Sequence, residues 1–405
     1  MSLQFQSESS FKKGQVTVFV LLFNTLLWYF IGRSTIAKIG YAFSATGFEN
    51  LCLGLAYPSS IIVSGIVASV FLMKIRKLRF FSAWLLFGVL ASLCSAIPMG
   101  ASFPATLLVT CMLGVSLGLG TPSCLSYFAE VVPIEKRGKV GGIMLFATIL
   151  TAPFILIALP TLSLMLSAAL GTVWRAWSLP FLFITSENRG FPKPSAQKAP
   201  SLRTILSNRT FYLYFVAWLM FALVDSFGGR VVALPPEYEL TIKFIEPVSA
   251  GFAALVAGLL SDRIGRKRTS IFGFVSLGIA YATVGLFSQM WAAWFFYFII
   301  DGIALGLLWT LFIVVLWGDI PESGLERYYA IGVAPFFLTK IFSLLLESYV
   351  SSIPVTSAFS LAAFFLFLAV LPLLYAPETL PEKKMKDREL TEYVKKAKKT
   401  REDYA

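Results

Sequence analysis

Hydrophobic residues in this chain come in long, nearly unbroken runs, separated by short polar or basic connections. Neither the two-residue alternation of a half-buried strand nor the one-sided stripe of a soluble helix organises them. Twelve runs can be counted, at about 14–32, 50–73, 80–98, 104–128, 140–159, 162–185, 211–230, 244–261, 270–288, 291–317, 329–350 and 355–375. They are about 20 residues long, the length a helix needs to cross a hydrocarbon core of roughly 30 Å. Hydrocarbon offers no hydrogen bonds, so a spanning segment must satisfy its own backbone, which a helix does. The pattern predicts an all-α integral membrane protein with twelve transmembrane helices. The fifth and sixth are divided least sharply, because 140–185 is almost continuous and is broken mainly by Pro160.

Composition narrows the classes further. The chain is 57% hydrophobic and 14% charged, with a mean hydropathy of +0.77; a soluble protein carries roughly 25% charged residues. The net charge of +12 raises nucleic acid as a partner. The basic residues sit in connections and in the tail, however, not on an amphipathic face, so no nucleic acid is expected. The opening MSLQFQSESSFKK is polar and the first run lacks a small-residue cleavage pattern, so no cleaved signal is expected. Cys52, Cys94, Cys111 and Cys124 lie within apolar runs without paired spacing. They read as small core residues, neither disulfides nor metal ligands. With no histidine in the chain, any proton relay falls to carboxylates, and a transition-metal site is not expected. No nucleophile–base pair, metal-ligand cluster or nucleotide-binding glycine loop is visible. The chain therefore reads as neither an enzyme nor an ATP-driven pump, and no metal or other cofactor is expected.

Lys and Arg in connections are retained on the cytoplasmic side. One side carries Lys12, Lys13, KIRKLR (74–79), EKRGK (135–139), segment 186–209, RIGRKR (263–268), Arg327 and the tail. The other has Arg33, Lys38, Arg230 and Lys243. This predicts a multi-pass plasma-membrane protein with both termini cytoplasmic. Segment 186–210, rich in Pro, Ser and basic residues, divides the chain into an N-terminal six-helix bundle (1–185) and a C-terminal one (211–378). The charged tail, 379–405, reads as solvated or lying on anionic headgroups.

The two bundles carry an internal echo. SYFAEVVPIEKRGKVGG and LWGDIPESGLERYYAIG align on Pro133 and Pro321, a shift of 188 that places Gly114 and Gly118 on Gly302 and Gly306. Glu130 and Asp319 then precede the prolines, and Arg137 and Arg327 follow them. A shift of 189 lays GLLSDRIGRKR (258–268) over SVFLMKIRKLR (69–79), with Met73 in place of Asp262 and Arg76 in place of Gly265. Two separate features sharing nearly one shift point to duplicated, pseudo-symmetric halves, a construction many secondary transporters use.

These residues also carry a family resemblance. GLLSDRIGRKRT between the eighth and ninth runs resembles the G-x-L-x-D-R-x-G-R-[KR] signature of the major facilitator superfamily. AEVVPIEKRG after the fourth resembles the E-x-x-P-x-x-x-RG element of its sugar-porter-like, metabolite:proton symporter branch, and PETL at 377–380 resembles that branch's PET element. The resemblance implies a cytoplasmic latch built from Gly258, Asp262, Arg263, Gly265, Arg266, Glu130, Arg137, Asp319 and Arg327. In it, Asp262 accepts from backbone N–H groups at a helix start or from an arginine, Gly265 permits the tight turn, and Arg266 reaches an acidic helix end, with Asp319 the candidate. The equivalent connection at 72–79 lacks both Asp and Gly, so the latch on that side is expected to be built differently.

Charges at membrane depth cost at least a few kcal/mol and usually face a cavity or a partner. Lys340, Asp301, Asp225 and Glu347 qualify, and with Asn24, Trp309 and Arg175 they form the candidate cavity and coupling set. Asp301 reads as the better partner for Lys340, since Glu347 is roughly 10 Å along the axis from it. Asp225 is a proton acceptor or a partner for Arg230. Arg175 either lies within the membrane or marks the outer start of the sixth helix, and Asn24 either bridges helices or touches substrate. The expectation is a monomeric secondary-active transporter, in a lipid bilayer, of a small polar metabolite (sugar, sugar acid or organic acid), driven by protons. A receptor or sensor on the same scaffold and a drug or organic-cation exporter are the alternatives.

Overall fold

The computed structural model describes residues 2–42, 45–71, 77–97, 102–186, 199–231, 236–321, 323–350 and 352–380. The described elements are helical. The crossings are α1 Ser2–Ala42, α2 Gly47–Phe71, α3 Lys77–Cys94, α4 Phe103–Val131, α5 Arg137–Thr161, α6 Leu164–Ser186, α7 Arg209–Val231, α8 Pro236–Ile264, α9 Arg266–Phe287, α10 Trp291–Asp319, α11 Leu325–Leu345 and α12 Val355–Tyr375. Eleven contain a helix long and apolar enough to span a bilayer. The twelfth, α6, is in two pieces, Leu164–Ala176 and Leu179–Ser186. Pro180, which lacks an N–H, opens the second piece and stops the first from running on. The chain is thus an all-helical, multi-pass membrane protein with the twelve-helix, two-bundle architecture.

The pattern of apolar runs understates two helices at the end remote from the basic connections. α1 continues to Ala42 although Arg33 and Lys38 interrupt its apolar run. Lys38 costs little there: its ammonium donates to Leu159 O and Leu162 O where α5 ends, and to Ser167 Oγ at 2.9 Å. α8 begins at Pro236, eight residues before the apolar run, because proline is well suited to a first turn whose N–H is unused. The tail beyond 380 and most of the linker, 187–198, fall outside the described residues.

Packing shows the duplication directly. Within the first half α1 packs on α5, α2 on α4 and α3 on α6; within the second α7 packs on α11, α8 on α10 and α9 on α12. The halves meet through α5 on α8 and α2 on α11, two contacts that the same twofold exchanges. The glycine pairs obey it too. A side chain at Gly114 or Gly118 would run into Ser60 and Tyr57 O or into Ser64 and Ile61 O. One at Gly302 or Gly306 would run into Ser249 and Glu246 O or into Ala250 O. Tyr57, Ser60 and Ile61 correspond to Glu246, Ser249 and Ala250 by the shift of 189. Small residues let the helix backbones touch in the same way twice.

Across the α5–α8 contact, Gly138 and Gly142 oppose Gly258 and Ala254, and a Cβ on Gly258 would collide with Gly138 O. Gly258→Leu is therefore expected to wedge the halves apart at the charged end. In a background without native cysteines, alkylation of Ala129→Cys, buried beneath Gly318 of the other half, should speed up at least tenfold. An unchanged rate would show that the contact is not part of the closure.

α10 holds one irregularity. Residues Thr310–Val315 form a π-turn between two α segments, a feature that concentrates at functional sites. Its wide turn frees carbonyls, and two side chains take them up: Trp317 Nε1 donates to Phe312 O, and Tyr329 OH donates to Val314 O at 2.7 Å.

Candidate functional site

The charged end is closed by one ion network shared between the halves. Gly265 adopts φ 103°, a left-handed conformation that favours glycine, and so turns α8 straight into α9. That turn leaves Asp262 pointing at the start of α5. Asp262 accepts from the N–H groups of Gly138 at 3.0 Å and Lys139 at 2.8 Å, where the helix dipole favours a carboxylate. It also takes Arg266 Nη1 at 2.6 Å. Arg266 passes on to Asp319 Oδ2 at 3.0 Å through Nε and to Ile134 O at 2.8 Å through Nη2. Arg137 Nη1 reaches Asp319 Oδ1 at 2.7 Å and Gly318 O at 2.9 Å. The Arg266 and Asp319 side chains are both 0% exposed, so Asp319 is a buried anion held between one arginine from each half.

Glu378 of PETL completes this end. It accepts from the N–H groups of Arg266 at 2.8 Å and Lys267 at 3.1 Å, capping α9, while Lys267 Nζ donates to Leu374 O at 2.7 Å. In sequence PETL resembles only a family element; with α9 starting at Arg266, its acid is a helix cap. Arg263 and Arg327 stand apart from this network, and Glu130 reaches across to the 72–79 connection. Arg263 is exposed on the turn. Arg327 binds backbone carbonyls, Pro200 O at 2.6 Å at the linker's end and Ser69 O at 3.4 Å. Glu130 pairs with Lys77, which also approaches Glu326 of the other half at 3.8 Å.

In the far half of the bundle lies a cavity of about 820 Å³, walled by α1 and α5 from one half and α7, α8, α10 and α11 from the other. Its floor is aromatic. Trp309 meets Phe336 edge-on at 5.5 Å, and Phe336 meets Tyr29 at 5.6 Å. Beneath that floor, towards the charged end, a void of about 50 Å³ remains among Leu145, Ile313, Val333 and Phe337. Trp309 lies ten residues before Asp319, about 15 Å along a helix.

The cavity's charges come mainly from α7, α8 and α11. Lys340 Nζ donates to Asp225 Oδ2 at 3.0 Å, with the two side chains 31% and 22% exposed, and sits 5.6 Å over the Phe336 ring. This corrects the expected Lys340–Asp301 pair: α7 packs on α11, whereas Asp301 faces the tyrosines of its own half. The side chain of Arg230, the other expected partner of Asp225, falls outside the described residues. Asp301 stands behind the wall, within the electrostatic reach of Glu246 and Asp225 and near Tyr281 and Tyr297, whose hydroxyls are 3.3 Å apart. Glu347 is not in the cavity. α11 ends at Leu345, and Glu347 is exposed on a separate helical turn. Glu246, which does line the cavity, was missed because the apolar run begins only at Phe244, placing it at a helix end. With α8 starting at Pro236, it lies ten residues inside.

Arg175 and Asn24 also leave the expected cavity. Arg175 is 0% exposed at the centre of the first half. Its Nη1 donates to Asn24 Oδ1 at 2.6 Å and its Nη2 to Ser116 O at 2.9 Å. The guanidinium lies 4.1 Å over Trp84 and 5.1 Å over Trp28. Asn24 in turn donates to Trp174 O at 2.5 Å. The arginine is intramembrane, and it joins α1, α3, α4 and α6 without reaching the cavity.

A family profile, Major Facilitator Superfamily, matches residues 240–401. No curated protein matches the chain. The human organic anion transporter MFSD10 (TETRAN) superposes with TM-score 0.69 at 12% identity, over 90% of this chain and 99% of that one. The E. coli fucose:proton symporter FucP gives 0.68 at 10% identity, over 91% and 99%. A bacterial homologue of the iron transporter ferroportin, in its outward-facing state, gives 0.66 at 14% identity, over 90% and 97%. At such identities the likeness is one of fold.

Proposed function

We propose that this protein is a secondary-active transporter that moves a small organic solute by alternating access. The observation that carries the reading is the cavity between two symmetry-related bundles, set in one half of the molecule while an inter-half ion network closes the other. The basic connections mark the closed end as cytoplasmic, so this conformation presents the cavity to the outside. Rocking the halves about the α5–α8 and α2–α11 contacts would separate Arg137 from Asp319 and Asp262 from the start of α5, opening the cytoplasmic end. Proton coupling is assigned to the carboxylates of the second half, Asp225, Glu246 and Asp301, since a protonated carboxyl removes a charge that membrane depth penalises.

The test is a solute panel in proteoliposomes with and without an imposed pH gradient, repeated with Asp301→Asn. Accumulation driven by the gradient and lost in Asp301→Asn is expected. Gradient-independent flux would remove the coupling, and absence of counterflow for any solute would return the chain to the receptor reading.

A further inference from the structure

Carboxylates at membrane depth outnumber cations among the described residues of the second half. Among the described residues, Asp225, Glu246 and Asp301 stand there against one cation, Lys340, and Lys340 is taken by Asp225. Glu246 has no hydrogen bond or ion pair from its carboxylate among the described residues, although it lines the cavity. The groups facing it are Asp225 from α7, Lys340 from α11 and Asp301 from α10, with Tyr281 of α9 and Tyr297 of α10 near Asp301. Across the cavity, Arg33 is exposed at the rim. It is the only cation that the first half brings to the described lining, because Arg175 is sealed away from the cavity. At the position equivalent to Glu246 the first half has Tyr57, and at that of Asp301 it has Leu113.

A carboxylate without an ion-pair partner in a wall of low polarity, as Glu246 is, calls for a cation or a proton. The rest of the lining says what kind of cation. Tyr29, Trp309 and Phe336 offer ring faces, which attract ammonium groups, beside Ile149, Ala152, Leu156 and Leu305. Among the described lining residues none is Asn, Gln, Ser or Thr, the side chains a sugar would need.

We propose that Glu246 is the cation-recognition residue of this cavity, and that the transported solute is an organic ammonium with an aromatic or aliphatic body. The proposal rests on the transporter reading above. A proton on Glu246 fills the same deficit, so solute and proton compete for one place.

The probes are choline phenyl ether, which joins a quaternary ammonium, an ether oxygen and a ring, and its anionic counterpart phenoxyacetate. Binding to the purified full-length chain and counterflow in proteoliposomes are measured between pH 5.5 and 8. Choline phenyl ether should bind, at least tenfold more weakly at the acid end, and should exchange across the vesicle wall. Glu246→Gln should weaken binding at least tenfold and flatten its pH dependence, while Glu246→Asp should keep part of both. Loss of binding together with a broadened size-exclusion peak is discounted as misfolding, and the wild-type pH dependence then decides. Counterflow of phenoxyacetate without choline phenyl ether would overturn the solute class and leave the transporter reading standing. Counterflow of neither probe, nor of any solute in the wider panel, would overturn both. Undiminished ammonium binding by a folded Glu246→Gln would overturn the residue alone.

Discussion

Asp319→Asn should release the closed end. Its carboxylate is the common partner of Arg266, from its own half, and Arg137, from the other. An asparagine has one acceptor oxygen and no charge, so at least one arginine is left buried without a counter-ion. Removing one member of a buried pair costs about 3–5 kcal/mol. Part of that loss, the Arg137 contact, exists only while the halves are closed. At about 1.4 kcal/mol per factor of ten, even half of it shifts the balance towards the opened form by tenfold or more. The readout is alkylation of Ala129→Cys, which should accelerate accordingly, with Arg137→Gln giving a smaller change and the double variant adding little to Asp319→Asn. Equal rates in wild type and Asp319→Asn would mean that the network does not hold the closure. Asp262→Asn is expected to fall between, since its amide oxygen can keep one of the two backbone donors on α5 and only the other is left facing the amide NH2.

The closed end was the part most legible from residues alone. A dense cluster of charges, with an acid and a glycine at fixed spacing on a short connection, constrains geometry strongly, because few arrangements satisfy all of it. Asp262, Gly265, Arg266, Arg137 and Asp319 do meet. The cavity was much less legible. Hydropathy marks where apolar residues begin, not where a helix begins, so a run starting at Phe244 leaves Glu246 at its edge and unmarked. Asp301 and Lys340 were matched by depth alone, and depth does not say which helices touch. The packing of α7 on α11 gives Lys340 to Asp225 instead. Arg263 enters through the signature and Arg327 through its position in the repeat. The repeat is real in the backbone, as the glycine contacts show, but its side chains have diverged, and Tyr57 opposite Glu246 is the same divergence at the cavity.

Arg175 illustrates how far a buried charge can mislead. A cation within the membrane reads as a ligand for an anionic solute, yet this one is enclosed by neutral partners. Burying it costs several kcal/mol. Two hydrogen bonds from a charged donor, about 1.5–3 kcal/mol each, and two aromatic faces, about 2 kcal/mol each when desolvated, are of the size needed to offset that. The arrangement depends on the flat fork, since one guanidinium must reach Asn24 and Ser116 while lying over Trp84. Arg175→Lys keeps the charge and loses the fork and most of the stacking, so it should destabilise the first half by about 3–5 kcal/mol. Arg175→Met removes the charge as well. Ser116 O still receives Trp84 Nε1 at 2.6 Å, leaving chiefly Asn24 Oδ1 unpaired, at about 1–3 kcal/mol. The expected order of melting temperature in detergent is therefore wild type, then Met, then Lys, with counterflow by the Met variant retained at a temperature where it stays folded. An anion-binding arginine would give the opposite pattern, with lysine the milder change and methionine inactive, and that result would return Arg175 to the transport path.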